Sequence, residues 1–185
     1  GTGAITGIIF GGRLVSLTGS VGALALGAAV LPAFARLTAE ADWAALRKLV
    51  WRCVVLTLVF AIPICGFISW FSLPIIEIMF QRGQFSSEDT HLVANVQAWH
   101  ILQIPFYLGW VVLARVLATF GRNNLILYLS FGAATLNLIL NYFFMQSFGA
   151  PGITAATAIT FFLLFAITYG VTQFYFPPHG PERKR

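Results

Sequence analysis

Apolar residues fill long stretches of this chain, and short clusters of glycine, proline and charged residues separate them. A helix needs about 20 mostly apolar residues to cross the hydrocarbon core of a bilayer. By that criterion the pattern predicts an all-α integral membrane protein, a bundle of about five transmembrane helices. The predicted spans are approximately 4–37, 43–71, 87–120, 125–148 and 153–176.

One further apolar segment, "SLPIIEIMFQ", is too short to cross a bilayer, and Glu77 and Gln81 lie one helical turn apart on it. We expect it to form a short helix at the membrane interface. Pro63 predicts a kink in the second span, and Pro32 predicts one near the end of the first. Asp42 precedes the second span and predicts a helix N-cap for a helix that starts at Trp43.

The composition excludes an ordinary soluble domain. Of 185 residues, 58% are hydrophobic and 9% are charged, whereas soluble domains carry roughly a quarter charged residues. Cys53 and Cys65 fall in one apolar segment, in a pattern that predicts neither a disulfide framework nor a metal motif. Both are therefore interpreted as packing or lipid-facing residues.

The basic residues predict the orientation of the bundle. If five spans alternate in direction, nine of the 11 Lys and Arg residues fall on one side and Arg82 falls on the other. The nine are Arg36, Arg47, Lys48, Arg52, Arg115, Arg122, Arg183, Lys184 and Arg185. Cytoplasmic loops are enriched in basic residues, so these loops and the basic tail 177–185 are predicted to be cytoplasmic. The net charge of +5 therefore reflects topology, and nucleic-acid binding does not follow from it.

Arg13 is the one basic residue that falls on neither side, because it lies inside the first apolar stretch. A charged side chain at the centre of a membrane helix costs about 2.5 to 3.5 kcal/mol on insertion scales and usually faces a cavity or a partner. No Asp or Glu inside the spans can pair with it, and guanidinium geometry suits phosphate. We predict that Arg13 binds an anionic group such as a diphosphate. The alternative is that Arg13 extends to the outer interface.

Weaker polar candidates lie on later spans. Asn95, His100 and Gln103 are candidates to line a polar cavity in the third. Asn137 and Asn141, four residues apart, share one face of the fourth. For the two asparagines we favour hydrogen bonds between helices, and for His100 we favour a structural role over a proton relay.

Motifs of enzymes are missing from the chain. It contains no H-E-x-x-H, no G-x-S-x-G, no glycine-rich phosphate loop followed by lysine, and no clustered carboxylates suited to magnesium. We therefore predict a protein that is not an enzyme and that has no metal site or bound cofactor. Coupling to an ion or to the membrane potential stays open.

The loop "RGQFSSEDT" resembles the R-G-x-F-x-x-x-D-T signature of the MurJ/MviN family of lipid II flippases. The signature positions are Arg82, Gly83, Phe85, Asp89 and Thr90. The resemblance continues in order along the chain. "GGRLVSLTGSVGALALGAAVLPAFARL" is similar to the family's eighth helix, "FAIPICGFI" to the ninth, "LARVLATFG" to the end of the tenth, and "LNLILN" and "GAPGITAATAI" to the eleventh and twelfth.

The resemblance implies a fragment, helices 8 to 12 of the C-terminal lobe, in the bacterial cytoplasmic (inner) membrane. The partners it implies are the bilayer, a lipid-linked oligosaccharide substrate and the missing N-terminal lobe. In the family, two lobes enclose a cavity that opens alternately to each side and binds the pyrophosphate of a lipid-linked precursor. Arg13 matches a cavity arginine of the family by its place in the R-L motif.

Four positions depart from the family pattern, and two charges of the lobe are lost with them. The positions are Gly12, Thr18, Val111 and Arg122. They leave open a polysaccharide-unit flippase or a multidrug antiporter of the same superfamily, and also a remnant without transport activity. A membrane enzyme acting on polyprenyl phosphates would need interfacial acids, for which Glu77, Glu88 and Asp89 are the only candidates.

Overall fold

The computed structural model describes the backbone of residues 2–80 and 87–176, with side chains except at positions 2–18, 79, 80 and 89. In these ranges the chain forms seven α-helices and no strand. The helices are α1 Thr2–Ala39, α2 Trp43–Trp70, α3 Ser72–Phe80, α4 Ser87–Ile101, α5 Ile104–Thr119, α6 Asn123–Phe148 and α7 Ala150–Tyr175.

Five stretches of the described residues are long and apolar enough to cross a membrane. They are Gly19–Ala39, Trp43–Trp70, Thr90–Thr119, Asn123–Phe148 and Ala150–Tyr175. This architecture confirms the predicted all-α bundle of five spans. α1 and α2 continue through Pro32 and Pro63, and the kinks expected there stay predictions.

The predicted span 87–120 is built from two helices, because α4 and α5 are separated by a turn at Leu102 and Gln103. Pro105 lies in the first turn of α5. Proline has no N–H to donate to the preceding turn, whereas at the start of a helix that N–H is not needed. The sequence "QIP" therefore ends one helix and begins the next.

The short helix predicted after the second span is α3. Its Ile76 is fully buried and packs with Val93 and Ala94 of α4, while Glu77 is exposed. α3 is thus held on the side of α4. Its position at a membrane interface stays a prediction, and Gln81 lies outside the described residues.

The N-cap predicted at Asp42 is confirmed. The backbone N–H of Ala45 donates to Asp42 Oδ1 at 3.0 Å. This bond satisfies one of the N–H groups that the first turn of a helix leaves without a partner. It fixes the start of α2 directly after the tight turn that follows α1.

Several helix ends meet at one end of the bundle, which we call the basic end. The Thr38 hydroxyl of α1 donates to that of Thr119 of α5 at 3.4 Å. The Phe120 ring lies 5.9 Å from Trp43 and 5.6 Å from Phe176. These contacts gather the ends of α1, α5 and α7 with the start of α2. They bring together the segments that carry Arg36, Arg47, Lys48, Arg115 and Arg122.

α6 lies at the margin of the bundle and packs mainly against α7. None of its residues is buried, and Leu127, Phe131 and Leu138 are all more than 60% exposed. Such a surface is typical of a helix that faces lipid. At the α6–α7 turn a Cβ on Gly152 would overlap the carbonyl of Phe144, so glycine permits the close approach of the two backbones.

Candidate functional site

Arg13 and the signature loop fall largely outside the side chains that the structure describes. Arg13 belongs to α1, and its side chain is outside those that the structure describes. Arg82, Gly83 and Phe85 lie outside the described residues altogether. The signature continues into the first turn of α4 with Asp89 and Thr90; the side chain of Asp89 is likewise not described, and Thr90 is buried.

A cavity of about 560 Å³ lies between α1, α5 and α6, and we call it the Arg115 cavity. Its lining residues are Ser20, Ala23, Leu24, Tyr107, Trp110, Val111, Ala114, Arg115, Ala118, Asn123 and Ile126. Most of these side chains are apolar. Arg115 and Asn123 lie where α5 ends and α6 begins, so the cavity has one cationic end. Ser20, Tyr107 and Trp110 add polar atoms to the rest of the lining.

Among the described residues that line this cavity, Arg115 alone is charged. Its side chain is exposed and crosses α1 at Gly27, where a Cβ would lie 3.0 Å from Nε. No ion pair involves Arg115 within the described part of the chain. Arg115 lies inside α5 about one turn before its end, within the predicted span 87–120. Its cytoplasmic side stays a prediction, and its place in a cavity was not predicted.

Asn137 and Asn141 form a hydrogen-bonded pair that joins α6 to α7. Asn141 Nδ2 donates to Asn137 Oδ1 at 3.0 Å. Asn137 Nδ2 lies 3.3 Å from the Thr157 hydroxyl and 3.2 Å from that of Thr160, donating to both. The Oδ1 atom of Asn141 is buried and has no hydrogen-bond partner among the described residues. The pair therefore joins two helices, and the Oδ1 atom of Asn141 remains available to accept a further hydrogen bond.

A second cavity, of about 300 Å³, adjoins this pair, and we call it the Asn137 cavity. Its lining residues are Tyr107, Trp110, Ser130, Ala133, Ala134, Asn137, Thr157, Thr160, Phe161 and Leu164. Tyr107 and Trp110 also line the Arg115 cavity. Two aromatic rings of α5 thus form a wall common to both spaces.

None of the three cavities described here brings the third-span candidates Asn95, His100 and Gln103 together. Asn95 is exposed and lines a separate space of about 410 Å³ between α4, α6 and α7. His100 and Gln103 line none of these three cavities. Gln103 is the N-cap residue of α5 without a side-chain cap bond, and its Oε1 atom is buried without a partner in the described structure.

Metal-binding chemistry finds no support among the described side chains, which contain no cluster of three or more His, Cys, Asp or Glu. Cys53 is half-buried and Cys65 is buried, and both thiols are free.

The model of one protein family, described as lipid II flippase MurJ, matches residues 1–174 of the chain. The chain belongs to the MurJ family. Over 127 residues it is 34% identical to a probable lipid II flippase MurJ of Synechocystis sp., a match covering 69% of this chain and 24% of that protein. Over 159 residues it is 27% identical to a probable lipid II flippase MurJ of Rhizobium meliloti, covering 85% and 29% respectively.

The fold matches a solved MurJ structure as well. A lipid II flippase MurJ in an inward closed conformation superimposes with a TM-score of 0.77 at 21% identity, covering 94% of this chain and 36% of that one. This chain therefore spans about a quarter of the length of the curated MurJ relatives it matches. MurJ proteins are flippases, which are transporters and not enzymes.

Proposed function

We propose that this chain is the C-terminal membrane lobe of a lipid II flippase that works by alternating access. The observation that carries the proposal is the match of the MurJ family model to residues 1–174. The five apolar spans support it, because they provide the multi-pass bundle that such a lobe requires. The remaining lobe of the transporter would be supplied by the rest of the protein.

Arg13 is the residue we propose to contact the diphosphate of the substrate. Position 13 precedes Ser20 by seven residues of α1, and seven residues are almost two full helical turns. The helical repeat therefore returns position 13 to the face of α1 that carries Ser20, which lines the Arg115 cavity. A guanidinium has the charge and the fork geometry that a diphosphate requires.

Transport would proceed by rocking of the two lobes about a site near the middle of the membrane. The polar headgroup would cross inside the cavity, while the polyprenyl tail would stay in lipid. The exposed apolar surfaces of α2 and α6 support an arrangement in which the outer side of the lobe faces acyl chains. Coupling to an ion or to the membrane potential is compatible with this scheme.

The basic end of the bundle is proposed to face the cytoplasm of a bacterial inner membrane. Arg36, Arg47 and Arg115 lie on helix segments at that end, and Arg122 lies in the α5–α6 turn. Cytoplasmic loops are enriched in such residues. The tail 177–185 follows α7 at the same end in sequence and would also be cytoplasmic.

The test of this function is complementation of a flippase-depleted cell by the intact protein carrying Arg13→Ala. We expect loss of rescue at normal membrane abundance, together with loss of lipid II flipping in reconstituted vesicles. Arg36→Ala is the matched control, because Arg36 is exposed and its contact with Glu40, at 3.9 Å, is a surface pair. Full rescue by Arg13→Ala would refute the binding role.

The substrate is tested separately with the unmodified intact protein. Vesicles containing lipid II should show transport, and vesicles containing a different undecaprenyl-linked sugar should show little. Preference for the second substrate would identify a polysaccharide-unit flippase instead. No movement of either lipid would support a protein without transport activity.

A further inference from the structure

We propose that the Arg115 cavity and the Asn137 cavity together form a binding cleft for one anionic phospholipid of the surrounding bilayer. The phosphate would lie at Arg115 and Asn123, and one acyl chain would run along Tyr107 and Trp110 toward the middle of the membrane. The proposal does not require the proposed transport activity. Ser20 of this cleft lies on the α1 face assigned above to the substrate, and the displacement experiment below separates the two occupants.

The shape of the two spaces fits a single amphiphile. The cavities have volumes of about 560 and 300 Å³ and share the rings of Tyr107 and Trp110. On α6 the lining runs from Asn123 to Asn137, a distance of about 21 Å along the helix axis. One leaflet of the hydrocarbon core is about 15 Å deep. The cleft is thus long enough for an acyl chain that starts at the headgroup level.

The distribution of charge selects an anion at one end. Arg115 lines the cleft close to the α5–α6 turn, and no described carboxylate pairs with it. Asn123 adds an amide at the same end, on the first residue of α6. A phosphate bound there would accept charge-assisted hydrogen bonds from the guanidinium.

The body of the cleft suits a hydrocarbon chain. Trp110, Ala114 and Ile126 line the first space, and Ala133, Ala134 and Leu164 line the second. The second space is also lined by Thr157 and Thr160, whose hydroxyls donate to carbonyls of their own helix. α6 leaves room for the chain because it packs mainly on α7 and only lightly on α5. An acyl chain between α5 and α6 would contact the apolar side chains that line the two cavities.

The location favours a bilayer phospholipid over a transported substrate. The cationic end lies within about one turn of the end of α5, and the ends of a membrane-crossing helix lie near the headgroup region. A resident phospholipid can keep its headgroup at that level and its chain in the cleft without leaving the membrane plane. A substrate in transit must instead leave the leaflet.

The experiment measures lipid binding to the intact protein by native mass spectrometry, with phosphatidylglycerol and phosphatidylcholine as probes. We expect tighter binding of phosphatidylglycerol and a loss of about fivefold in its affinity in Arg115→Gln, the effect of one basic residue near a membrane surface. Arg122→Gln is the matched control. Arg122 belongs to the same basic end, but its guanidinium lies 5.0 Å over the Tyr175 ring and does not line the cleft.

A second variant fills the cleft without changing charge. Ala114→Phe should reduce phosphatidylglycerol binding, whereas Ala166→Phe, on an exposed position of α7 outside both linings, should not. Equal binding of the two phospholipids, or unchanged binding in both Arg115→Gln and Ala114→Phe, would overturn the proposal. Displacement of phosphatidylglycerol by an equimolar undecaprenyl diphosphate would also overturn it and assign the cleft to the substrate.

Discussion

Gly109 of α5 faces the ring of Phe165 on α7 so closely that a Cβ on Gly109 would lie 2.8 Å from Cε2 of the ring. The contact lies where α5, a buried central helix, packs against α7. Small residues let membrane helices approach each other in this way. The spacing of these two helices therefore depends on the absence of one side chain.

We predict that Gly109→Ala destabilises the bundle by about 1 to 3 kcal/mol, because the added methyl group overpacks the Phe165 ring. The measurement is the free energy of unfolding of the intact protein in mixed micelles. Gly132→Ala is the control, since a Cβ there meets nothing within 4 Å. It should be neutral or stabilising by up to about 1 kcal/mol, as expected for alanine in a helix. Equal effects of the two changes would contradict the packing argument.

A second prediction concerns the hydrogen bonds between α6 and α7. Asn137→Ala removes the donor to Thr157 and Thr160 and the acceptor for Asn141. Interhelical hydrogen bonds in membranes contribute about 0.6 kcal/mol each on average, so we expect a loss of about 1 to 2 kcal/mol. A double-mutant cycle with Thr160→Val measures the coupling. Strict additivity of the two changes would show that the 3.2 Å contact contributes nothing.

A third prediction concerns the start of α2. Asp42→Ala removes the acceptor of the Ala45 N–H and should cost about 1 kcal/mol of stability. Asp42→Asn retains an N-cap side-chain oxygen and should behave like the parent protein. If Asp42→Asn is as unstable as Asp42→Ala, the negative charge and not the cap hydrogen bond is responsible.

A fourth prediction tests the orientation of the lobe by cysteine labelling. In a background of Cys53→Ser and Cys65→Ala, Asn124→Cys should react with a membrane-impermeant maleimide only from the cytoplasm. Ser87→Cys should react only from the opposite side, because exposed Ser87 precedes the third span, whereas exposed Asn124 lies in the first turn of the fourth, beyond the other end of the third. Val112→Cys is fully buried and should stay unlabelled. The reversed pattern would invert the proposed orientation.

Hydrophobic length was enough to predict the five spans, because the bilayer imposes one length on every crossing helix. Four helices, α1, α2, α6 and α7, begin and end within three residues of a predicted range. The turn at Leu102 and Gln103, which divides the third span into α4 and α5, was not predicted. Hydropathy measures how apolar a segment is and does not register a missing backbone N–H. The signal available was Pro105.

The polar sites were harder to derive. The four-residue spacing of Asn137 and Asn141 predicted a shared face, and the structure adds Thr157 and Thr160 from α7 as partners. The position of Arg115 in a cavity could not be found from spacing, because a lone charge near the end of an apolar segment resembles a loop charge. Its exposure depends on the lateral gap between α5 and α6, which only tertiary packing defines.

The marginal position of α6 has a consequence for biogenesis. A ribosome completes α6 before α7, yet α7 supplies most of the contacts of α6, including the close approach at Gly152. Until the last span has entered the membrane, α6 has little to hold it beside the other helices. We therefore expect α6 and α7 to join the lobe as a pair. A chain truncated within α7 would leave α6, as well as α7, without its main packing contacts.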